Sequence, residues 1–228
     1  MKLSGEALAE SGQAGVSGKV LKKLAETIAQ VADSGTQIAV VVGGGNIWRY
    51  RDHDDLPIER ASSDQMGMLA TVMNAVALSN AIEHIGGTCR VQSAIAMPTV
   101  AESYIRRRAI RHLEKGRVVI FAGGIGTPYF TTDTAAAMRA LEINADVLIK
   151  GSTVDGVYDR DPAKHSDAVR YDEISYTDVL ADDLGVMDGA AISLCRENAL
   201  PIIVFDVFEA GSLTKVASGQ PLGTIVTA

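Results

Sequence analysis

Cysteine is nearly absent from this 228-residue chain. Cys89 and Cys195 are the only two, too few for a disulfide framework. Both sit among apolar neighbours and read as reduced packing residues. Proline fills 6 positions and aromatic residues make up 5%, while hydrophobic residues reach 47%. That balance excludes a disordered chain and provides for a substantial core. A basic excess is missing too: the formal net charge is −7, which argues against non-specific binding to nucleic acid or to an anionic membrane. No apolar run approaches membrane-spanning length, and the N-terminus has no signal-peptide core. The default expectation is a soluble cytoplasmic protein. His53, His84, His112 and His165 share no metal-ligand spacing, so no metal site is expected. The spacings GxxxxGK[ST] and GxGxxG are also absent, which excludes a Walker loop and the usual dinucleotide fingerprint.

What is present is a regular alternation. Val20, Leu21, Leu24, Ile28 and Val31 recur at helical spacing between a Ser17 start and a Gly35 stop. Residues 37–42 read as a buried strand, 62–86 as a long apolar helix, and 88–93 as a strand. An amphipathic helix is predicted over 101–116, a buried strand over 117–124, a helix over 131–145 and a strand over 146–150. Helix, strand, helix and strand follow over 188–200, 201–206, 211–219 and 223–227. The polar stretch 155–175 interrupts the pattern and reads as a hairpin or a lid. Strands apolar on both faces, alternating with helices, predict an α/β fold. The expected form is a three-layer αβα sandwich with a mainly parallel central sheet, as a single domain over 1–228.

In open α/β sheets ligands lie beyond the carboxyl ends of strands. Lys2, Ser4 and Gly5 follow the first strand, Gly43-Gly44-Gly45 and then Arg49 the second, and Gly123, Gly124 and Gly126 a later one. Lys150 ends another strand. Glycine-rich turns with nearby cations suit phosphates, because bare backbone N–H groups can approach an anion; tight packing is the alternative reason for such glycines. Asp64, Asp133 and Asp188 stand where helix caps would stand. Arg106, Arg107, Arg108 and Arg111 read as a solvated helix face, and Met66, Met68 and Met73 as core filling. Neither Lys2 nor Arg49 is expected in the core.

The segments "KLSGEAL", "VVVGGGNIWR", "DQMGMLATVMNA", "GTPYFTTDTAAAMRALEINADVLIK", "VDGVYDRDP" and "VMDGAA" occur in this order along nearly the whole chain. Together they resemble the bacterial uridylate (UMP) kinases of the amino acid kinase superfamily. The resemblance implies the amino acid kinase fold and transfer of the ATP γ-phosphoryl group to UMP, with Mg2+ carried as Mg–ATP. It implies catalytic roles for Lys2, Arg49, Lys150, Asp188 and Asp133. ATP is implied to meet Lys2, Leu3, Ser4, Gly5, Gly45, Arg49, Ser152, Tyr158 and Asp161. UMP is implied to meet Gly44, Asp64 and the loop Ile125, Gly126, Thr127, Pro128, Tyr129, Phe130, Thr131 and Thr132. A homohexamer with GTP and UTP regulation is implied as well. The helix 66–85 is apolar around much of its circumference, as a partner-covered helix would be.

The chain departs from relatives at Tyr50, where Gly is common, and through the loop up to Glu59. Residues 11–15 match the GTP-sensitive segment only loosely. Relatives precede "KLSGEAL" with several more residues, so the expectation is a short first strand, Met1 to Ser4, and a natural start further upstream. Three other readings stay open: molybdenum or tungsten storage on the same fold, another small-molecule kinase of the superfamily, and a nicotinamide-dependent dehydrogenase whose glycine spacing is wrong.

Overall fold

The first strand, β1, covers only Lys2–Leu3, and both residues are buried. The computed structural model describes residues 1–10, 12–52 and 56–228. Ser11 of the 11–15 segment, and His53, Asp54 and Asp55 of the loop after Tyr50, lie outside the described residues. The chain divides into two compact units, one over Lys2–Thr132 and one over Asp133–Ala228 together with Met1.

In the first unit β1 is followed by α1 (Gly18–Asp33), β2 (Ala39–Val42), α2 (Arg60–His84), β3 (Cys89–Ser93), β4 (Glu102–Ser103), α3 (Arg106–Glu114) and β5 (Val118–Ala122). The sheet runs in the order β4-β3-β5-β2-β1, and every neighbouring pair is parallel. All five residues of β5 are buried, which requires cover on both faces of the sheet. Helix α1 buries Leu21, Leu24, Ile28 and Val31 of the predicted face, together with Ala25, while Val20 is half-buried, and the Ser17 hydroxyl accepts from the Val20 N–H at its start. Gly35 follows the helix with φ +91°, a left-handed turn for which Gly has no Cβ to pay.

Two predicted helix starts shift in this unit. Helix α3 begins at Arg106, not 101, because Glu102 and Ser103 pair in parallel with Gln92 and Ser93 of β3. The Glu102 carboxylate then receives Gln92 Nε2 at 3.1 Å and lies 3.0 Å from His112 Nε2. Helix α2 begins at Arg60, two residues early, and no side chain caps it. Its buried residues include Ala70, Val72, Ala75, Leu78 and Ile82. Met66 and Met73 are exposed, not core, and so is Leu69, with Leu69 48% and Met73 60% accessible. Arg106, Arg107, Arg108 and Arg111 are exposed as expected.

The second unit contains α4 (Thr132–Glu142), β6 (Leu148–Ser152), β7 (Val157–Tyr158), β8 (Arg170–Tyr171), β9 (Glu173–Ser175), α5 (Tyr176–Ala181), α6 (Gly189–Glu197), β10 (Ile202–Asp206), α7 (Ser212–Ala217) and β11 (Thr224–Thr227). Its sheet order is β6-β10-β11-β9. The pairs β6–β10 and β11–β9 are parallel, and β10–β11 is antiparallel. The polar stretch is a hairpin, β7 against β8, followed by a strand and a short helix that sequence reading did not separate. Ser175 starts that helix by accepting from the Asp178 N–H at 3.0 Å. Mainly parallel sheets layered with helices are the α/β architecture that the alternation predicts.

Candidate active site

The turn after β2 is built on space. None of Gly43, Gly44 and Gly45 has a positive φ, so left-handed backbone is not the reason for the triplet. A Cβ on Gly43 would come within 2.7 Å of the Gly5 nitrogen, and one on Gly44 within 2.7 Å of the Gly67 carbonyl on α2. A Cβ on Gly45 would meet Arg49 Nε at 2.7 Å. Packing against backbone therefore demands Gly43 and Gly44, whereas a Cβ on Gly45 would meet only the side-chain ends of Arg49 and Glu6; the same bareness leaves the turn's backbone open to a ligand. Among the described residues, no protein acceptor faces the N–H groups of Gly44 and Gly45.

Around that turn the structure gathers several predicted residues. Arg49 donates from Nε to the Gly45 carbonyl at 2.9 Å, and its guanidinium is ion-paired with Glu6. Gly5 packs against Gly45 and Asn46 so tightly that a Cβ there would sit 2.5 Å from either. Ser4 opens the 3-10 turn that carries Gly5. Leu3 is fully buried, and Lys2 is only 6% exposed. Lys2 is thus in the interior, contrary to expectation, because strand β1 places it in the ladder beside Val41. Glu6 was missed by sequence reasoning, although it lies inside the "KLSGEAL" segment.

A second cluster forms where α2 meets the loop after β5. Asp64 is not a cap, since its helix starts four residues earlier. Its carboxylate accepts the Tyr129 N–H at 2.9 Å and Arg60 Nε at 2.9 and 3.0 Å. Tyr129 adopts φ +72°, a left-handed conformation uncommon for a bulky side chain, which turns its N–H toward Asp64. The Gly123 N–H donates to the Thr71 hydroxyl at 2.7 Å, so α2 holds the loop at both ends. Gly126, Thr127, Tyr129, Phe130 and Thr131 are exposed, and Ile125, Pro128 and Thr132 half-buried. Arg60 was missed; its i, i+4 spacing to Asp64 was the available signal.

The second unit holds a third group. Lys150 Nζ sits 3.0 Å from an Asp133 oxygen, and both side chains are largely buried. Asp188 caps α6, accepting the Ala191 N–H at 2.8 Å, as the cap reading allowed. Its carboxylate also accepts the Thr134 hydroxyl at 2.9 and 3.0 Å, a partner that sequence reading overlooked beside Asp133. Lys150, Ser152, Tyr158 and Asp161 line one cavity of about 540 Å3, together with the unforeseen Asp182–Val186 turn. The Tyr158 hydroxyl donates to Asp155 at 2.6 Å. That bond pushes the phenol above its ordinary pKa and the Asp155 carboxyl below its own. Asp161 is held low chiefly by the Ala163 N–H.

Comparison with known proteins bears on what these groups serve. The model of the amino acid kinase family matches residues 1–206. A crystal structure of UMP kinase from Bacillus anthracis is 37% identical, with a TM-score of 0.96, covering 99% of this chain and 93% of that one. UMP kinase from Ureaplasma parvum is 35% identical with a TM-score of 0.93, over 100% and 97% of the two chains. Uridylate kinase from Archaeoglobus fulgidus is 28% identical with a TM-score of 0.76, over 99% and 97%.

Proposed function

The chain belongs to the amino acid kinase family, and from that premise we propose that it transfers the γ-phosphoryl group of ATP to UMP, giving UDP and ADP. The observation that carries this reading is the whole-length likeness to bacterial UMP kinases. The first unit's geometry agrees with a nucleoside monophosphate as acceptor. Gly44 packs on Gly67 of α2, three residues beyond Asp64, about 4.5 Å of helix rise. That is the scale separating a ribose from its own 5′-phosphate.

The roles follow from charge and position. The acceptor phosphate has a second pKa of about 6 and is largely dianionic at neutral pH, so attack needs no general base. What remains is to place two polyanions together and stabilise the charge, which is most of phosphoryl-transfer catalysis. Arg49 supplies a planar, two-pronged donor beside the Gly45 turn. Glu6 occupies the Arg49 guanidinium until phosphate oxygens replace it. Gly44 and Gly45 present N–H groups to the UMP and ATP phosphates respectively. Lys2, with Leu3, Ser4 and Gly5 after it, serves the ATP phosphates, and its burial makes its charge count for more. Lys150, oriented by Asp133, stabilises the leaving ADP oxygen, and Asp188 orients this region through Thr134.

Substrate choice lies in the remaining residues. Asp64 accepts the UMP ribose hydroxyls, and Ile125 to Thr132 enclose the uracil and sugar. Ser152, Tyr158 and Asp161 hold the base and ribose of ATP in the cavity they line. Mg2+ enters with its nucleotide, as Mg–ATP. Residues 1–228 act as one catalytic domain, working inside the cell's pyrimidine nucleotide synthesis. The exposed Leu69 and Met73 of α2 are covered by a second copy in a homo-oligomer, a hexamer as the resemblance implies, with GTP and UTP as candidate effectors. Chromatography of a reaction containing the protein, Mg–ATP and UMP should show UDP and ADP rising in equal amounts. ADP without UDP, or neither, would overturn the proposal.

A further inference from the structure

A turn of three glycines has no side chains to fix it, so its geometry must be imposed from outside. The Gly43 N–H donates to the Leu3 carbonyl at 2.8 Å, and the Gly44 carbonyl accepts from Ile47 and Trp48 at 3.0 Å each. Arg49 Nε holds the Gly45 carbonyl at 2.9 Å, and two buried amides add further restraint. Asn74 on α2 is 0% exposed and Asn46, the residue after the triplet, is 6% exposed. Asn74 Nδ2 donates to the Gly43 carbonyl and to Asn46 Oδ1, both at 2.7 Å. In return Asn46 Nδ2 donates to Asn74 Oδ1 at 3.1 Å and to the Gly15 carbonyl at 2.6 Å. The Gly15 N–H closes the set on the Asn46 carbonyl at 2.7 Å.

All four side-chain N–H groups of the pair are used, and each side-chain carbonyl accepts one of them. Such a network has one satisfied arrangement. Asn74 brackets the turn: it holds the first carbonyl, of Gly43, and it holds Asn46, the residue that follows the triplet. Because Asn74 and Asp64 stand on the same helix, the pair also sets the turn against the ribose-reading carboxylate.

We propose that Asn74, acting through Asn46, is the positioning residue of the phosphate turn, fixing where the Gly44 and Gly45 N–H groups point and hence how strongly the chain grips a nucleotide's phosphate. This rests on the reading above that UMP phosphate lies on that turn. Asn74 touches no substrate atom in this scheme; it acts through the backbone it holds. Its loss leaves the Gly43 carbonyl, Asn46 Oδ1 and one of the two Asn46 side-chain N–H groups unpaired in the interior. An aspartate there keeps the shape but sets oxygens against two carbonyl oxygens.

The test compares binding of UMP and of uridine by calorimetry, since their ratio isolates the phosphate's share. The wild-type chain should bind UMP at least about tenfold tighter than uridine, the scale of one or two charge-assisted hydrogen bonds. Asn74→Ala and Asn74→Asp should cut that ratio about fivefold or more, with uridine affinity within twofold of wild type. Asn46→Ser, a milder change, should cut it in the same direction and serves where the Asn74 variants fail to fold. A merely structural asparagine would lower the melting temperature and leave the ratio unchanged, and that result overturns the inference. Wild-type protein that binds uridine as tightly as UMP would instead refute the phosphate reading itself.

Discussion

Replacing Asp64 with alanine separates what this carboxylate does for the fold from what it does for the substrate. In the fold it ties down the loop after β5 by accepting the Tyr129 N–H at 2.9 Å. A hydrogen bond to a charged acceptor contributes about 1.5–3 kcal/mol, and less near solvent. The Arg60 partner is half exposed and adds about 0.5 kcal/mol at most. Part of the loss returns when Tyr129 leaves its left-handed conformation, worth about 1 kcal/mol. The net cost is about 1–2 kcal/mol, which for a chain of this size lowers Tm by about 2–8 °C. In the proposed UMP complex the same carboxylate accepts two ribose hydroxyls. Deleting one of them, as dUMP does, costs about 1.5–3 kcal/mol, a preference for UMP of about ten- to a hundredfold in kcat/KM. The assay is coupled ADP release with UMP and with dUMP, well below both melting temperatures. In Asp64→Ala the preference should shrink to about threefold or less, with most of the loss falling on UMP. A variant that melts lower yet keeps the full preference would show that Asp64 is a loop tether and nothing more.

Other outcomes follow from the same geometry. Arg49→Ala should lower turnover at least tenfold, about 1.4 kcal/mol or more. Lys2→Met, which keeps the buried volume, should do the same while folding normally by circular dichroism. Burial pushes both the Cys89 and Cys195 thiols up to about 11. A thiol reagent at pH 8 should therefore titrate neither in the native protein and both in denaturant. Burial works to raise the Glu102 carboxyl, but hydrogen bonds from Gln92 and His112 outweigh it and hold it below 4.5. Its folded pKa is thus below the unfolded one, so its stabilisation is present above about pH 4.5 and lost as pH falls through the folded value. Glu102→Gln should flatten the fall of Tm below that pH. Leu69→Asp with Met73→Asp should reduce the particle size measured by light scattering, and an unchanged size would contradict the proposed subunit contact.

Local signals carried most of the fold. Ser17 and Gly35 bracket α1 because capping and left-handed turns are chemistry of single residues, readable without any partner. Helix α2 began earlier than read because Glu59 precedes it without a side-chain cap, so nothing in the sequence marks the start. Strand β4 was illegible: two residues become a strand only by pairing with Gln92 and Ser93, ten positions away. The glycine triplet was legible as a turn, but its packing cause lies in the Gly67 carbonyl and the Gly5 nitrogen, distant in sequence. Asp64 and Asp188 looked alike as caps. Only the structure separates them, with Asp64 inside a helix and bound to a loop 65 residues on. The burial of Lys2 was hidden for the same reason, since it depends on β2 lying alongside β1.

The central claim is that the acceptor is UMP. Initial rates of ADP release from Mg–ATP, measured with UMP, CMP and carbamate each as the sole acceptor, test it most directly. The expected result is saturable turnover with UMP, at least about tenfold slower turnover with CMP if the Ile125–Thr132 loop encloses the base as proposed, and none with carbamate. Turnover with carbamate, or equal rates with CMP and UMP, would contradict the account.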